Sequence, residues 1–337
     1  MKRVLSSVTR ALLSSLTRRH SITTQSEGFH SMPVTLLPLT QKLTIADIVA
    51  HARSGSDCPE KILVADTYVE NSEQWTALPG GWQTEVDGLT IINVDHHAPV
   101  PRMQRPISSG NLAMDYVRAH GVASDALVLI NHCDCDSIVS SSILLGEVQP
   151  DDDLSQAVIA ADHSGAENHI ADHLQPLEAL RDLVLSQQTL RQLVAGESVV
   201  DTVRELWQQR VSERHQWQAK IDQPGMVHWT NKVALIESAQ RIPAELLTGL
   251  LPQADLILTA YPANSPGQIP QSENKWIMKV RLGQAAAGRF TLESLAVRSL
   301  DPAFGGRWNA GSNNRGGGTT IPPKRYASLL AQNIAAS

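Results

Sequence analysis

Residues 126–137 read ALVLINHCDCDS, a short aliphatic run that changes abruptly into a cluster of histidine, aspartate and cysteine. Three further apolar runs end in a similar polar cluster: KILVAD at 61–66, LTIINVDHH at 89–97 and AVIAADH at 157–163. Helix-like stretches separate the runs, and this alternation is typical of the βα units that build a parallel sheet. The sequence therefore predicts an α/β fold with strands at 61–65, 89–94, 126–131 and 157–161.

Acidic and histidine side chains follow each predicted strand, and all of these strands are expected to end at one edge of the sheet. Ligands of parallel α/β sheets bind at that edge, so side chains far apart in sequence should converge there. Alternation along an extended backbone would place His132, Asp134 and Asp136 on one side and direct Cys133 and Cys135 into the core. A zinc site built from both thiols is the alternative for the two cysteines.

So many aspartates in one crevice require positive charge nearby, because buried, unpaired like charges cost several kcal/mol each. Taken alone, Asp66 or Asp162 would be interpreted as a helix cap or a turn residue. Together, the oxygen-rich clusters with some imidazole favour a pair of Mn²⁺ or Mg²⁺ ions over tetrahedral zinc. Such a pair activates water and neutralises a phosphoryl transition state, so the clusters predict hydrolysis of a phosphoester or phosphoanhydride.

The segments VDHH at 94–97 and HCDCDSIVS at 132–140 together resemble the DHH phosphoesterase superfamily. This superfamily includes manganese-dependent pyrophosphatases, exopolyphosphatases, oligoribonucleases and single-strand exonucleases. The resemblance implies two Mn²⁺ ions per chain, with Mg²⁺ as the alternative. It also implies that the substrate is a small phosphorylated compound or a short oligonucleotide.

The residues whose roles the resemblance implies are metal ligands and catalytic groups. The ligands of one ion would be Asp66, His132 and Asp134, and those of the other would be Asp66, His96, Asp136 and Asp162. The catalytic groups would be Asp95, which orients a histidine, His97, which contacts the substrate or the leaving oxygen, and Arg315, which clamps the phosphate.

The order of the motifs along the chain departs from that of the superfamily, in which the HxDxD strand comes first, followed by the lone aspartate, DHH and the last aspartate. Here Asp66 comes first, and HxDxD at 132–136 follows DHH at 95–97. A circular permutation does not produce this order. The resemblance therefore implies that the βα unit carrying HxDxD has moved within the chain, with its strand still directed to the same sheet edge.

A change in pattern beyond residue 175 indicates further domains. The apolar spacing is helical from 176 to 222, with Gly196 dividing the stretch, and strand-like runs resume at 232–237, 255–260 and 276–282. We therefore expect a DHH-like metal-binding catalytic domain at 32–175, a helical linker at 176–225 and a smaller α/β substrate-binding domain at 226–337.

Residues 298–325 (RSLDPAFGGRWNAGSNNRGGGTTIPPKR) form a basic, glycine-rich stretch in an otherwise acidic protein. Glycine lets backbone amides approach an anion, and arginine offers bidentate geometry to phosphate. The stretch resembles the substrate-binding motif of the DHH-associated C-terminal domain, although the family's histidine is absent from GGRW at 305–308. The predicted substrate-binding residues are Arg307, Asn309, Gly316 and Gly317. The alternative is a flexible surface loop.

Composition limits the class of partner. The 337-residue chain has a net charge of −6, and no apolar run approaches the ~18 residues of a membrane span. Its acidic body disfavours membranes and long duplex nucleic acid as partners. Three cysteines are too few for a disulfide framework, which indicates a reducing compartment. The sequence does not indicate an oligomeric state.

Residues 1–31 are rich in Ser, Thr and Arg and contain no acid before Glu27, a composition typical of an organelle transit peptide. A mis-called start, with translation beginning at Met32, is the alternative. The expected location is the cytoplasm, or the mitochondrial matrix if the segment is a transit peptide. The predicted protein is an enzyme, and the alternative is a sensor that binds phosphate or nucleotide on the same fold without cleaving it.

Overall fold

Two six-stranded sheets organise the part of the chain that the structure describes. The computed structural model describes residues 34–39, 43–54, 59–239, 244–263, 275–286 and 288–337. The predicted leader at 1–31 lies outside the described residues. Within these ranges, no helix combines the length and the apolar character needed to cross a membrane.

The first sheet is mostly parallel. Its strands are β1 (Val34–Leu36), β2 (Lys61–Ala65), β3 (Thr76–Leu78), β4 (Gly81–Val86), β5 (Leu89–Val94) and β6 (Leu127–Ile130). They lie in the order β1-β6-β2-β5-β4-β3, in which the first four strands are parallel and the last two add antiparallel neighbours. The predicted strands at 61–65 and 89–94 are confirmed residue for residue. The strand predicted at 126–131 is shorter by one residue at each end.

The position of β6 explains how the unusual motif order fits one sheet. Strand β6 pairs in parallel with both β1 and β2, so HxDxD emerges beside Asp66 although it comes later in the chain. Strand β5, which leads into DHH, pairs in parallel with the other side of β2. The carboxyl ends of β6, β2 and β5 therefore meet at one edge, as the sequence predicts.

Helices cover the first sheet and continue beyond it. They are α1 (Ile45–Arg53), α2 (Ser109–His120), α3 (Cys135–Leu144), α4 (Asp152–Ile159), α5 (His169–Leu174), α6 (Leu183–Val194) and α7 (Asp201–Ile221). Short 3₁₀ turns occupy Ser72–Gln74, Pro101–Met103, Gln175–Leu180 and Gln284–Ala286. The helical stretch predicted from 176 to 222 is confirmed, and Gly196, with a φ of 70°, lies between α6 and α7.

Side chains of the central strands alternate between two cores. Ile62 and Val64 of β2 pack with Ile48 of α1, whereas Leu63 and Ala65 belong to the larger core on the opposite face. Strands buried on both faces give continuous apolar sequences, and this accounts for the clear signal of KILVA.

Residues 157–161 are helical, so the strand predicted there is wrong. Helix α4 ends at Ile159, and a π-helical turn follows at Ala160–Ser164. The Asp151 carboxylate accepts a hydrogen bond of 2.7 Å from the Leu154 amide, which caps α4. A short apolar run does not by itself distinguish a strand from a buried helix. Here the buried residues Leu154, Ala157 and Val158 follow helical spacing.

The second sheet is mixed. Its strands are β7 (His228–Thr230), β8 (Val233–Glu237), β9 (Leu256–Pro262), β10 (Trp276–Leu282), β11 (Gly305–Gly306) and β12 (Ala310–Ser312), accompanied by helices α8 (Ala244–Leu250), α9 (Val297–Leu300) and α10 (Pro323–Ala336). The order is β11-β12-β10-β9-β8-β7, and only β8 and β9 form a parallel pair among these strands. The three strands predicted in this region are confirmed to within two residues at each end. The domain boundaries at 175 and 225 stay predictions.

A buried ion pair joins α5 to α7. The Arg214 guanidinium donates to both carboxylate oxygens of Asp172, each at 2.6 Å. Only 7% of Arg214 and 2% of Asp172 are exposed. Arg210 donates a further hydrogen bond to the same carboxylate at 3.3 Å. Such bidentate geometry satisfies two charges that would otherwise be costly to bury.

We expect the substitution Asp172→Ala to lower the free energy of unfolding by about 3–5 kcal/mol, because Arg214 would stay buried without its counter-ion. Urea denaturation measures this change. The matched control is Arg204→Ala, which removes an exposed pair with Asp201 and should cost less than about 1 kcal/mol. Equal losses in the two variants would contradict a stabilising role for the buried pair.

Candidate metal centre

Asp66 lies at the centre of the carboxyl edge, directly after β2. Its backbone is left-handed, with a φ of 47°, which is a strained conformation for a residue other than glycine. The hydroxyls of Ser109 and Ser137 donate to its two carboxylate oxygens at 2.9 and 2.8 Å. The Nε2 atom of His132 lies 3.0 Å from Oδ2. Side chains of three residues thus hold an almost fully buried carboxylate in place.

His132, Asp134 and Asp66 form the first group of candidate ligands. The Nδ1 atom of His132 hydrogen-bonds to the side-chain oxygen of Asn131, and Nε2 lies 3.3 Å from an Asp134 oxygen. The other Asp134 oxygen caps α3 by accepting from the Ser137 amide at 2.9 Å. One donor atom from each group member lies within 4.8 Å of the other two. Such a set of two carboxylates and one imidazole suits a divalent cation.

The two carboxylates of this group favour positive charge between them. Burial opposes protonation of His132, but Asp66 and Asp134 outweigh it and raise the pKa of the imidazole to about 12. Burial likewise favours the neutral form of Asp66, but His132 and the two histidines of DHH hold the pKa of this carboxyl well below its usual range. An imidazolium between two carboxylates occupies the electrostatic role that a bound cation would take.

His96, Asp162 and His163 form a second group, whose donor atoms also lie within 4.8 Å of one another. The main-chain carbonyl of Ile107 accepts from His96 Nδ1 at 2.8 Å and from His163 Nε2 at 2.9 Å. Since Nδ1 of His96 carries the proton, Nε2, which lies 3.3 Å from an Asp162 oxygen, is the nitrogen of this ring whose lone pair faces the group. Carbonyl hydrogen bonds of this kind are typical partners of metal-bound histidines.

His163 is a site residue that the sequence prediction did not include. Burial, followed by the charge of His96, lowers its pKa to about 3, so the ring is neutral. Its Nδ1 atom lies 3.4 Å from the Asn309 side-chain amide. The pair Asp162-His163 after the predicted strand was the only signal for it in the sequence.

Asp95 and His97 are hydrogen-bonded to each other beside these groups. The Asp95 oxygens accept from His97 Nδ1 at 2.7 Å and from the His97 amide at 2.9 Å. The Nε2 atom of His97 lies 3.2 Å from that of His96. Burial opposes protonation of His97, but Asp95 raises its pKa overall. This geometry suits the predicted role of Asp95, which is to orient a histidine.

Asp136 lies beside the cluster but faces the start of α2. Its two oxygens accept from the backbone amides of Ser109 and Gly110 at 2.8 and 2.7 Å. The expected alternation ends at Asp134, because α3 begins at Cys135 and turns Asp136 inward. None of the three-residue ligand groups in the described part of the chain includes Asp136. Its role as a metal ligand stays a prediction.

The two cysteines beside the motif are buried and free, in agreement with their predicted place in the core. Burial raises the pKa of the Cys133 thiol to about 11 and that of Cys135 well above its usual value. Neither thiol belongs to a candidate ligand group within the described residues. The geometry therefore gives no support to a zinc site that uses both thiols.

A cavity of about 360 Å³ opens at the second ligand group. Its lining includes His96, His97, Asp162 and His163 of the cluster, together with Glu293, Arg307, Trp308 and Asn309 from later in the chain. The structure therefore brings two predicted substrate-binding residues, Arg307 and Asn309, to the cluster. The volume lies in the range of small-molecule sites.

The other predicted phosphate-binding residues lie apart from this cavity. Arg315 and Gly316 are exposed, and Arg315, Gly316 and Gly317 do not belong to the cavity wall. Gly316 packs against Ala303, where an added Cβ would lie 2.5 Å from the Ala303 carbonyl oxygen. Their roles stay predictions. A different arginine, Arg281 of β10, donates a hydrogen bond to the main-chain oxygen of Asp162. No motif in the sequence identified this residue.

Comparisons with known proteins give little similarity. No family model and no curated protein matches the chain. Six solved chains match, among them a pGpG-specific phosphodiesterase, PggH, from Vibrio cholerae. That structure is 11% identical in sequence, the match covers 64% of this chain and 82% of the other, and the TM-score is 0.42. A similarity of this size establishes neither family nor activity, so function is argued from the site.

We expect Asp66→Asn to weaken Mn²⁺ binding at least 10-fold, because the amide removes a negative charge from the group with His132 and Asp134. The same carboxylate also lies within ligand distance of His96 and His97, which form a further group with it. Electron paramagnetic resonance of free Mn²⁺ measures the affinity. Asp115→Asn, which changes an exposed aspartate on α2, is the matched control and should bind as the unmodified protein does. Unchanged binding in Asp66→Asn would contradict this assignment.

We expect Asp136→Asn to lower the free energy of unfolding by about 1–3 kcal/mol, because one of two buried amides at the start of α2 loses its acceptor. Its effect on Mn²⁺ affinity should be smaller than that of Asp66→Asn, since both carboxylate oxygens already accept backbone hydrogen bonds. Chemical denaturation and the same Mn²⁺ titration measure the two quantities. Loss of Mn²⁺ binding with full stability would instead favour a direct ligand role.

Proposed function

We propose that the protein is a two-metal phosphohydrolase that cleaves a phosphoester or phosphoanhydride in a small phosphorylated compound or short oligonucleotide. One observation carries the proposal. Two groups of buried and partly buried carboxylate and imidazole ligands lie at the carboxyl edge of one sheet, and a cavity that is also lined by an arginine opens beside them.

The donor atoms fit two divalent cations of the hard to intermediate class. Asp66, His132 and Asp134 would hold one, and His96, Asp162 and His163 would hold the other. Mixed oxygen and imidazole donors favour Mn²⁺, with Mg²⁺ as the alternative. Bound there, such ions lower the pKa of a coordinated water and neutralise charge on the phosphoryl group.

The side chains around the cavity supply binding and orientation. Arg307 presents a planar guanidinium that suits bidentate contact with phosphate oxygens. Asp95 fixes the ring of His97 through Nδ1, which leaves Nε2 directed toward His96 and the cavity. From this position His97 would donate a proton from Nε2 to the leaving oxygen.

The resemblance to the DHH superfamily supports the same activity. DHH follows β5 and HxDxD follows β6, and these two strands lie on either side of β2, which leads into Asp66. The three motifs therefore meet despite their changed order in the chain. The proposed centre differs from the superfamily pattern in using His163 where Asp136 was expected.

The first test is hydrolysis by the full chain with Mn²⁺, using pyrophosphate, polyphosphate, linear dinucleotides and 3′-phosphoadenosine 5′-phosphate. We expect turnover of at least one compound, with loss of turnover after chelation and in Asp66→Asn. Mn²⁺ binding without turnover of any compound would overturn the hydrolase proposal and favour the non-catalytic sensor.

We expect Arg307→Ala to lower kcat/KM about 10–100-fold while Mn²⁺ affinity is unchanged, because the variant loses a charged hydrogen-bond donor to phosphate but no metal ligand. Arg315→Ala offers the matched comparison, since both arginines belong to the same glycine-rich segment. Arg315 lies away from the cavity, so its removal should have a smaller effect. A larger effect for Arg315→Ala would instead support the role that the sequence predicts for Arg315, which is to clamp the phosphate.

A further inference from the structure

The π-helical turn at Ala160–Ser164 carries two of the proposed ligands, Asp162 and His163. It is closed by a hydrogen bond of 2.9 Å from the Gly165 amide to the Ala160 carbonyl, and Gly165 adopts the left-handed conformation. Single π turns are rare and frequently occur at functional sites. Because the helix ends here, the last carbonyl groups have no partner within the helix.

Two side chains, one from the second sheet and one from the turn after it, donate hydrogen bonds to two of these carbonyl groups. The Arg281 guanidinium, from β10, donates to the main-chain oxygen of Asp162. The Gln284 amide, from the 3₁₀ turn after β10, donates to the main-chain oxygen of Ser164 at 2.9 Å. Two separate donors from one short segment therefore cap the end of the π turn.

Backbone packing brings a third element against the same turn. Helix α8 contacts the turn through Gly249, where an added Cβ would lie 2.2 Å from the Gly165 carbonyl oxygen. The side chain of Asn309 approaches from the glycine-rich segment and lies 3.4 Å from His163 Nδ1. Residues of the second-sheet region, which is the part of the chain from 228 to 337 that contains the second sheet, thus contact the turn on several sides.

We infer that Arg281 is a positioning residue, which fixes the main chain of Asp162 and thereby sets the Asp162 carboxylate and the His163 ring opposite His96. The inference rests on the proposed function in one respect, that Asp162 and His163 bind metal. Arg281 bonds the carbonyl of the same residue whose carboxylate lies 3.3 Å from His96 Nε2. A shift of this peptide group therefore moves the ligand atom directly.

The chemistry of the contact favours arginine. The carbonyl end of a helix carries partial negative charge, which a cation stabilises. A guanidinium also holds its donors in a fixed plane, whereas a lysine ammonium is a mobile point charge. Lysine at position 281 should therefore restore the charge but only part of the positioning.

The test compares full-chain variants Arg281→Ala, Arg281→Lys and Gln284→Ala with the control Arg289→Ala. Arg289 lies near the same segment and forms an ion pair of 3.0 Å with Asp255, but not with the turn. The control thus removes a charged contact of similar type elsewhere in the second-sheet region. Two quantities are measured: Mn²⁺ affinity, and amide hydrogen exchange of a peptide that covers 160–165 in chelator-treated protein.

We expect Arg281→Ala to weaken Mn²⁺ binding about 10-fold and to speed exchange across the turn, because partners that orient metal ligands typically affect affinity by this much. Arg281→Lys should recover part of both losses. Gln284→Ala should change Mn²⁺ affinity and turn exchange in the same direction as Arg281→Ala, but by a smaller factor. This variant also keeps the inference testable if Arg281→Ala does not fold. Arg289→Ala should leave turn exchange and Mn²⁺ affinity unchanged.

Unchanged exchange and Mn²⁺ affinity in Arg281→Ala would overturn the inference, as would equal changes in Arg289→Ala. If Arg281→Ala does not fold, unchanged values in both Gln284→Ala and Arg281→Lys would overturn it. Failure of the unmodified protein to hydrolyse any compound would count against the proposed function alone, since neither readout requires turnover. Absence of Mn²⁺ binding in the unmodified protein would overturn both.

Discussion

The structure depends on how one sheet edge accommodates buried negative charge. Asp66, Asp95 and Asp136 are each at most 2% exposed, and Asp134 and Asp162 lie close by. Carboxylates this close together repel one another unless each has a partner. The loops and helix starts at this edge are arranged so that every one of them has such a partner.

The aspartates can be divided by the kind of partner that each carboxylate has, either a backbone amide or a histidine nitrogen. Asp136 accepts from the amides at the start of α2, and Asp134 uses one oxygen to cap α3. Asp95 is satisfied by His97, through the ring and the backbone amide. Asp66 and Asp162 face histidine nitrogens, as does the second oxygen of Asp134. Asp66, Asp134 and Asp162 each face the Nε2 atom of a histidine, whereas Asp95 binds Nδ1 of His97, so the first three are best placed to accept a cation.

The sequence predicts much of the first sheet because central parallel strands are buried on both faces. KILVA and LTIINV are mostly apolar runs, and both strands are found where predicted. AVIAA has the same appearance, but its residues belong to a helix capped by Asp151. The hydrogen bond that caps this helix is made by Asp151, which comes before the run in the chain. The apolar pattern of 157–161 alone therefore does not reveal the helix.

The candidate site shows a similar limit. Motif spacing brought together Asp66, DHH and HxDxD, since each follows a strand of one sheet. It missed His163 and Arg281, whose places depend on a π turn and on contacts between residues more than a hundred positions apart. In the glycine-rich segment, Arg307 and Arg315 have similar sequence surroundings. Only the fold shows that Arg307 lines the cavity and that Arg315 is exposed outside it.

The place of β1 in the first sheet has a consequence for the order in which the chain assembles. Among the described strands, β1 pairs with β6 alone, and the register joins Val34 to Val128. Strands β2 and β5, by contrast, are separated by a much shorter segment of the chain, which contains β3 and β4. Contacts between distant residues form late because closing a long loop costs more entropy. Among the described strands, β1 is made first, and it therefore has no strand to pair with in this sheet until β6 has been made.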